Sequence, residues 1–106
     1  MKLITWESVN AFLAGEPFKK SNMTVEVLGD LRRLKLFGNT IAVRVIGEGV
    51  KIYDGGWQTN TTKERLNGLL QELGSPLYIK QKNWKWYIGN RETKEIVDFE
   101  NGLEVA

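Results

Sequence analysis

The sequence predicts a single α+β domain, and three observations carry that prediction. Apolar and polar residues alternate in four short runs between residues 24 and 53. Leu66, Leu69, Leu70 and Leu73 then follow a spacing of three and four. Alternation returns between residues 77 and 88. A period of two marks strands with one buried face, and a period near 3.6 marks an amphipathic helix. A length of 106 residues suits one domain. The expected organisation is an N-terminal helix and loop over 1–21, an α+β core over 22–91 and an acidic tail over 92–106.

The first helix is expected to begin at Thr5 as N-cap, with Ile4 and Val9 as a hydrophobic staple. Trp6, Val9, Phe12 and Leu13 fall on one face, and Gly15 and Pro17 supply the stop. Residues 16–22 read as a connecting loop. An antiparallel four-strand meander follows, built from Val25/Val27, Leu34/Leu36, Ile41/Val43/Val45 and Val50/Ile52. Gly29-Asp30, Gly38-Asn39 and Gly47-Glu48-Gly49 separate these runs. A two-residue turn at Gly38-Asn39 sets Leu36 opposite Ile41 and Leu34 opposite Val43, and Arg33 opposite Arg44 on the outer face.

Thr61-x-x-Glu64 is a capping-box pattern ahead of the leucine stripe, and Gly74 and Pro76 follow it as stop signals. A C-terminal β-hairpin is expected to turn at Lys82-Asn83. That turn pairs Ile79 with Trp86 and Leu77 with Ile88, and on the other face Tyr78 with Tyr87 and Lys80 with Lys85. Residues 89–94 read as a polar loop, and Ile96, Val97 and Phe99 as an extra short strand.

Composition excludes several chemistries. With no cysteine there is neither a disulfide framework nor a thiolate metal site. With no histidine the usual general base and the commonest metal ligand are missing. No cofactor or metal is expected, and Asp54, Glu64 and Glu72 do not form an acid–base or metal pattern. No apolar run reaches membrane-spanning length, and Glu7 interrupts any signal-peptide pattern, so a cytoplasmic location is expected. Charge is asymmetric: residues 1–91 carry 14 basic and 8 acidic side chains, a net of +6, whereas residues 92–106 carry one lysine and five acids, a net of −4.

Four groups of residues are candidate binding sites, each with a plainer reading beside it. Thr59, Thr61, Thr62, Lys63 and Arg65 gather at the start of the second helix, where a positive helix end can hold an anion. The plainer reading is capping by Thr61 with solvated cations. Tyr78, Lys80, Lys82, Lys85 and Tyr87 interleave aromatics and positive charge, as single-stranded nucleic acid requires, or else form an ordinary solvent face. Arg33, Lys35, Arg44 and Lys51 are expected to share one sheet face, with Arg32 on the other. That face suits an acidic partner, or simply solvent. Trp57 is either a partner anchor or a core residue joining sheet to helix.

The run from Gly56 to Leu70, with its Thr61-Thr62-x-x-Arg65-Leu66-Asn67 block, resembles small proteins of tailed bacteriophages, notably those of cyanobacteria. The segments 22–26, 36–42 and 79–88 carry the same resemblance, which spans roughly residues 22–90 and leaves the acidic end as a departure. The resemblance implies a viral origin and the host cytoplasm, and no mechanism. Together with the missing catalytic residue types it points to a non-catalytic binding or accessory module acting on a host or viral protein. The alternative is a small nucleic-acid binder using a basic and aromatic sheet face. No membrane partner is expected. A meander this short leaves edge strands to cover, so homo-oligomerisation enters as a further expectation.

Overall fold

The computed structural model describes residues 2–106. In chain order its elements are α1 (Leu3–Ala14), β1 (Phe18–Lys20), β2 (Met23–Leu28), β3 (Leu31–Leu36), β4 (Asn39–Val45), β5 (Val50–Ile52), α2 (Asn60–Glu72), β6 (Leu77–Lys82), β7 (Lys85–Asn90), β8 (Ile96–Asp98) and β9 (Leu103–Glu104). The strands form a six-stranded antiparallel sheet, ordered β1-β2-β3-β4-β5-β9, and a three-stranded sheet, ordered β6-β7-β8. This is the α+β class the alternation predicts. None of the helices among the described residues is long and apolar enough to cross a membrane.

The core lies between the inner face of the large sheet, the two helices and the inner face of the small sheet. Met23, Val25, Leu34, Leu36, Ala42, Val50 and Ile52 line the large sheet, Val9 and Phe12 come from α1, and Leu66, Leu69 and Leu70 come from α2. Ile79, Trp86 and Ile88 close it from the small sheet. Trp86 is fully buried and meets Phe99 edge to face, with centroids 5.1 Å apart. Aromatic pairs favour that geometry.

Several local expectations are corrected. The first helix starts before Thr5: Lys2 is its N-cap, with no side-chain cap bond. Ile4, Thr5 and Val9 therefore all lie inside it. Part of the expected loop at 16–22 is strand β1, paired with β2. The β3–β4 turn is Phe37-Gly38, with φ of 50° and 78°, the positive pair that a tight hairpin turn with matching twist requires. Phe37 is held there by a bond from its N–H to Asn22 O at 2.8 Å. A β-bulge then shifts the register. Lys35 pairs with Thr40 but Leu34 pairs with Ala42, so Ile41 is the extra residue. One inserted residue exchanges the two faces of the rest of β4. Ala42 and Arg44 face the core side, and Val43 stands beside Arg33 on the outside.

The acidic end is woven into the fold rather than trailing from it. β8 pairs with β7, and β9 pairs with β5 in the other sheet. Val105 N donates to Val50 O at 2.8 Å, and Val50 N donates to Ala106 O at 3.0 Å. Leu103 and Val105 pack against the core.

Two polar links fix α2. Asn67 reaches the free edge of β6 and makes both bonds a strand would make. Its Oδ1 accepts from Ile79 N at 2.7 Å and its Nδ2 donates to Ile79 O at 3.2 Å. Under α1, Arg65 is 3% exposed. Its guanidinium donates to Thr5 Oγ1 at 3.0 Å, to Asn22 Oδ1 at 3.3 Å and to Glu64 Oε1. Glu64 in turn accepts from the Thr5 hydroxyl at 2.7 Å and from Lys2 N at 3.2 Å. Glu64 is thus an interhelix tie, not the capping-box partner of Thr61. Burial acts to raise its pKa, but the bonds from Thr5 and Lys2 and the charge of Arg65 outweigh it, and the net shift is downward.

A depressed folded-state pKa means that the Glu64 carboxylate stabilises the fold above its unfolded-state value, and that this contribution disappears as pH falls through the folded-state value. Glu64→Gln is therefore expected to lower the urea midpoint at neutral pH, with the difference from the wild-type protein shrinking as pH is lowered through the acid range. A difference that stays constant across that range would contradict the assignment. Asn67→Ala removes both bonds to Ile79 and is expected to cost about 1–3 kcal/mol in urea denaturation. A loss under about 0.5 kcal/mol, the range of an ordinary surface change, would show that the clamp is not structural.

Candidate binding site

The loop from Asp54 to Thr59 carries the chain from β5 to α2, and its conformation is closely specified. Asp54 Oδ1 accepts from Gly56 N at 2.8 Å, and Thr59 N donates to Trp57 O at 3.1 Å. Gln58 Oε1 accepts from Trp86 N at 3.0 Å, which ties the loop to the small sheet. Asp54 N itself donates to Asn101 Oδ1 at 2.8 Å, a link to the C-terminal segment. Gly55 and Gly56 sit at φ of 70° and 96°, a region that other residues enter at a cost. The loop therefore leaves Trp57 one way to point, and that is outward: Trp57 is 71% exposed. The alternative reading of Trp57 as a core residue is corrected.

The helix that follows is capped by Thr59, not Thr61. Thr59 is extended (φ −99°, ψ 161°), and its hydroxyl accepts from Thr62 N at 3.1 Å. The two hydroxyls of Thr59 and Thr62 lie 2.9 Å apart. The cap belongs to Thr59 because the intrahelical ladder starts at its carbonyl, which accepts from Lys63 N at 3.0 Å.

Two hollows flank this helix end. The first, about 200 Å³, lies between Phe37 and Trp57, with Ile41, Gly55, Thr59 and Thr61 on its walls. The second is wider, about 650 Å³, and runs between Lys63 and Trp84, with Gln58, Asn60 and Gln81 beside them. Thr59 lines both. Phe37 is 73% exposed and Trp84 is 90% exposed. Three loops thus present three large apolar side chains around one capped helix end.

Trp84 reaches solvent because the β6–β7 turn is Asn83-Trp84, with φ of 53° and 67°, and not Lys82-Asn83. The pairing is Ile79 with Ile88, Gln81 with Trp86 and Lys82 with Lys85. This differs from the expected register by two, so the faces are kept while the partners change. Tyr78, Lys80, Lys82, Lys85 and Tyr87 do share the outer face. Tyr78 lies over Gly89, where any Cβ would run into its ring. Arg91 stacks on Tyr78 with 4.7 Å to the ring centroid. Lys85 stands 5.4 Å from the Tyr87 centroid and pairs with Asp98 at 3.2 Å.

The remaining candidates disperse. Of the helix-end group, Thr59, Thr61, Thr62 and Lys63 line the hollows, with Thr62 also serving the cap, and Arg65 is buried beneath α1. The expected basic face is also divided. Arg33 and Lys35 share the outer face with Lys51, and Glu26 sits between the first two, 2.9 Å from Lys35 and 3.6 Å from Arg33. The hydrogen bond from Lys35 is the main cause holding the Glu26 pKa down; desolvation opposes it, and the charges of Lys35 and Arg33 add to the lowering. The bulge carries Arg44 to the opposite face, where it pairs in register with Arg32. Arg32 donates to Leu13 O at 3.3 Å and covers Gly15 at the end of α1.

Phe37 and Trp84 are the functional candidates that residue patterns missed. Both occupy positive-φ turn positions, where aromatic residues are uncommon, and the expected turns at Gly38-Asn39 and Lys82-Asn83 place each of them at a strand end instead. A turn frame moved by one residue toward Phe37-Gly38 and Asn83-Trp84 would have exposed them.

No curated protein sequence and no solved structure matches the chain. The Kyanoviridae Gp96 protein family model matches residues 1–106. The resemblance read over residues 22–90 therefore extends through the N-terminal helix and through the acidic end, which is a family feature and not an addition. The chain, with its aromatic-rimmed helix end, belongs to the Kyanoviridae Gp96 protein family.

Proposed function

We propose that this phage protein is a non-catalytic binding module that engages a host or viral protein through the aromatic rim at the start of α2. One observation carries the reading: Phe37, Trp57 and Trp84 are each more than 70% exposed and surround the same capped helix end. Exposed aromatic side chains in clusters are the common anchors of protein interfaces. Covering a tryptophan removes a large apolar area from water, at roughly 25 cal/mol per Å². The loop that holds Trp57 is already ordered by Asp54, Gln58 and the Thr59 cap, and Phe37 and Trp84 sit in tight two-residue turns. Little conformational freedom remains to be lost on binding. The absence of His and Cys supports a role without covalent or acid–base chemistry.

The nucleic-acid alternative has weaker support. Stacking needs free ring faces, and Arg91 already lies over the Tyr78 ring and Lys85 near the Tyr87 ring. Phosphate attraction needs uncompensated cations, and Glu26 partly neutralises Arg33 and Lys35.

The test compares tagged wild-type protein with Trp57→Ala/Trp84→Ala and with Lys80→Ala/Lys82→Ala in infected cells, followed by mass spectrometry and calorimetry on the purified pair. The reading expects one protein to be retained by the lysine variant and lost by the tryptophan variant. The affinity loss should be at least about thirtyfold, the effect of one interface hot spot. Retention by the tryptophan variant would overturn the reading. So would salt-sensitive oligonucleotide binding that only the lysine variant loses.

A further inference from the structure

The two sheets end in four strand edges, and three of them are closed to pairing. β1 is a three-residue strand with Lys19 and Lys20 on it, and Lys20 is held by Glu7 at 3.0 Å. β9 has two residues. The edge of β6 is taken by the Asn67 clamp on Ile79. Short edges, lysines and covering side chains are the ordinary means of blocking unwanted strand addition.

β8 is as short as β1, with three residues, but it carries no lysine, and no side chain among the described residues is hydrogen-bonded to its outer backbone groups. Its inner side is paired: Asn90 N donates to Glu95 O at 3.0 Å and Phe99 N donates to Trp86 O at 3.3 Å. In an antiparallel ladder the bonding direction alternates along the strand. Glu95, Val97 and Phe99 therefore bond toward β7, and the N–H and C=O groups of Ile96 and Asp98 point away from it. No strand lies on that side in the order β6-β7-β8. The edge is also apolar. Ile96 is 50% exposed and Val97 is 55% exposed, one on each face of the strand.

The segment that carries this edge is net acidic, although Lys85 of β7 answers Asp98 at 3.2 Å on the sheet side. Glu92, Glu95, Asp98 and Glu100 lie on or beside it, with Lys94 as the single base in that segment. A second copy of the chain would bring the same acids together, and like charges directly opposite are unfavourable in a sheet. A basic segment is complemented instead.

We propose that the β8 edge receives an extended segment of a partner protein in which basic and apolar side chains alternate, adding a fourth strand to the small sheet. The four free backbone groups of Ile96 and Asp98 supply the ladder, Ile96 and Val97 meet apolar side chains, and Glu95 and Glu100 select the basic ones. This mode of recognition draws affinity from main-chain bonds and specificity from alternate side chains. It uses a different surface from the aromatic rim, and neither requires the other.

The probe is a nine-residue peptide alternating lysine and valine, with a glutamate–valine peptide as control, titrated into the full isotope-labelled chain. The proposal expects saturable binding of the lysine peptide and hydrogen exchange at the Ile96 and Asp98 amides slowed at least about tenfold. Binding should weaken about fivefold or more between low and high salt. Glu95→Lys/Glu100→Lys, which changes two exposed side chains, should reverse the preference toward the glutamate peptide. Trp57→Ala/Trp84→Ala should leave peptide binding intact, which separates this surface from the rim. The proposal is overturned if those two amides are unaffected at saturation or if both peptides bind equally. It also fails if protection of the same amides rises with protein concentration alone, which would identify a second copy as the occupant.

Discussion

Arg65 is a charged side chain in a place where a charge has to be answered. Removing a guanidinium from water costs several kcal/mol unless its donors are matched. Here Thr5 comes from α1, Asn22 from the β1–β2 turn and Glu64 from the same turn of α2. Thr5 and Asn22 are distant in sequence, so the position of one side chain sets how three elements meet. Arg65 Nε already lacks a partner among the described residues, so a small interhelix shift that broke the terminal bonds would leave still more of the buried charge unanswered, whereas apolar leucines alone would tolerate some sliding. With α2 fixed in this way, its first turn stands beside the β3–β4 turn on one side and the β6–β7 turn on the other. The aromatic rim is a consequence of that placement.

The same logic explains which parts of the fold were readable in advance. The leucine stripe of α2 was clear because its spacing is purely helical, and Leu66, Leu69 and Leu70 are indeed buried. The strands of the meander and the hairpin were clear because alternation survives any register, whereas β1 and β9 are too short to show a period. The pairing was not clear, because register depends on turns, and both tight turns use residues that do not announce a turn. Phe37 and Trp84 resemble strand residues by type, yet each adopts positive φ. The bulge at Ile41 was hidden for a similar reason. Ile41 and Ala42 are both buried, and a strict two-residue period cannot represent two neighbours that both face the core. Arg44 was assigned to the wrong face as a direct result.

Of the candidate site, the helix-end threonines were readable and the aromatics were mostly not. Thr59, Thr61 and Lys63 came from the Thr-rich run, and Trp57 was weighed on both readings. Arg65 looked like a surface cation because it lies near a helix start, but the helix face it occupies points at α1. Nothing local in the sequence distinguishes those cases, since the difference lies in Thr5 and Asn22, 60 and 43 residues away. Within the acidic end, the apolar residues Ile96, Val97 and Phe99 mark the short strand β8, whereas β9 carries no such signal. The strand character of the whole end rests on Ile96, Val97, Leu103 and Val105, whose partners lie in two different sheets.

The account stands or falls on whether partners meet the protein at the start of α2. Site-specific photo-crosslinking in infected cells addresses this directly, with a photoreactive phenylalanine analogue placed in turn at positions 57, 84 and 78. The account predicts that positions 57 and 84 yield an adduct with the same protein and that position 78 yields none. Adducts at position 78, to nucleic acid or to protein, with none at 57 and 84, would contradict it.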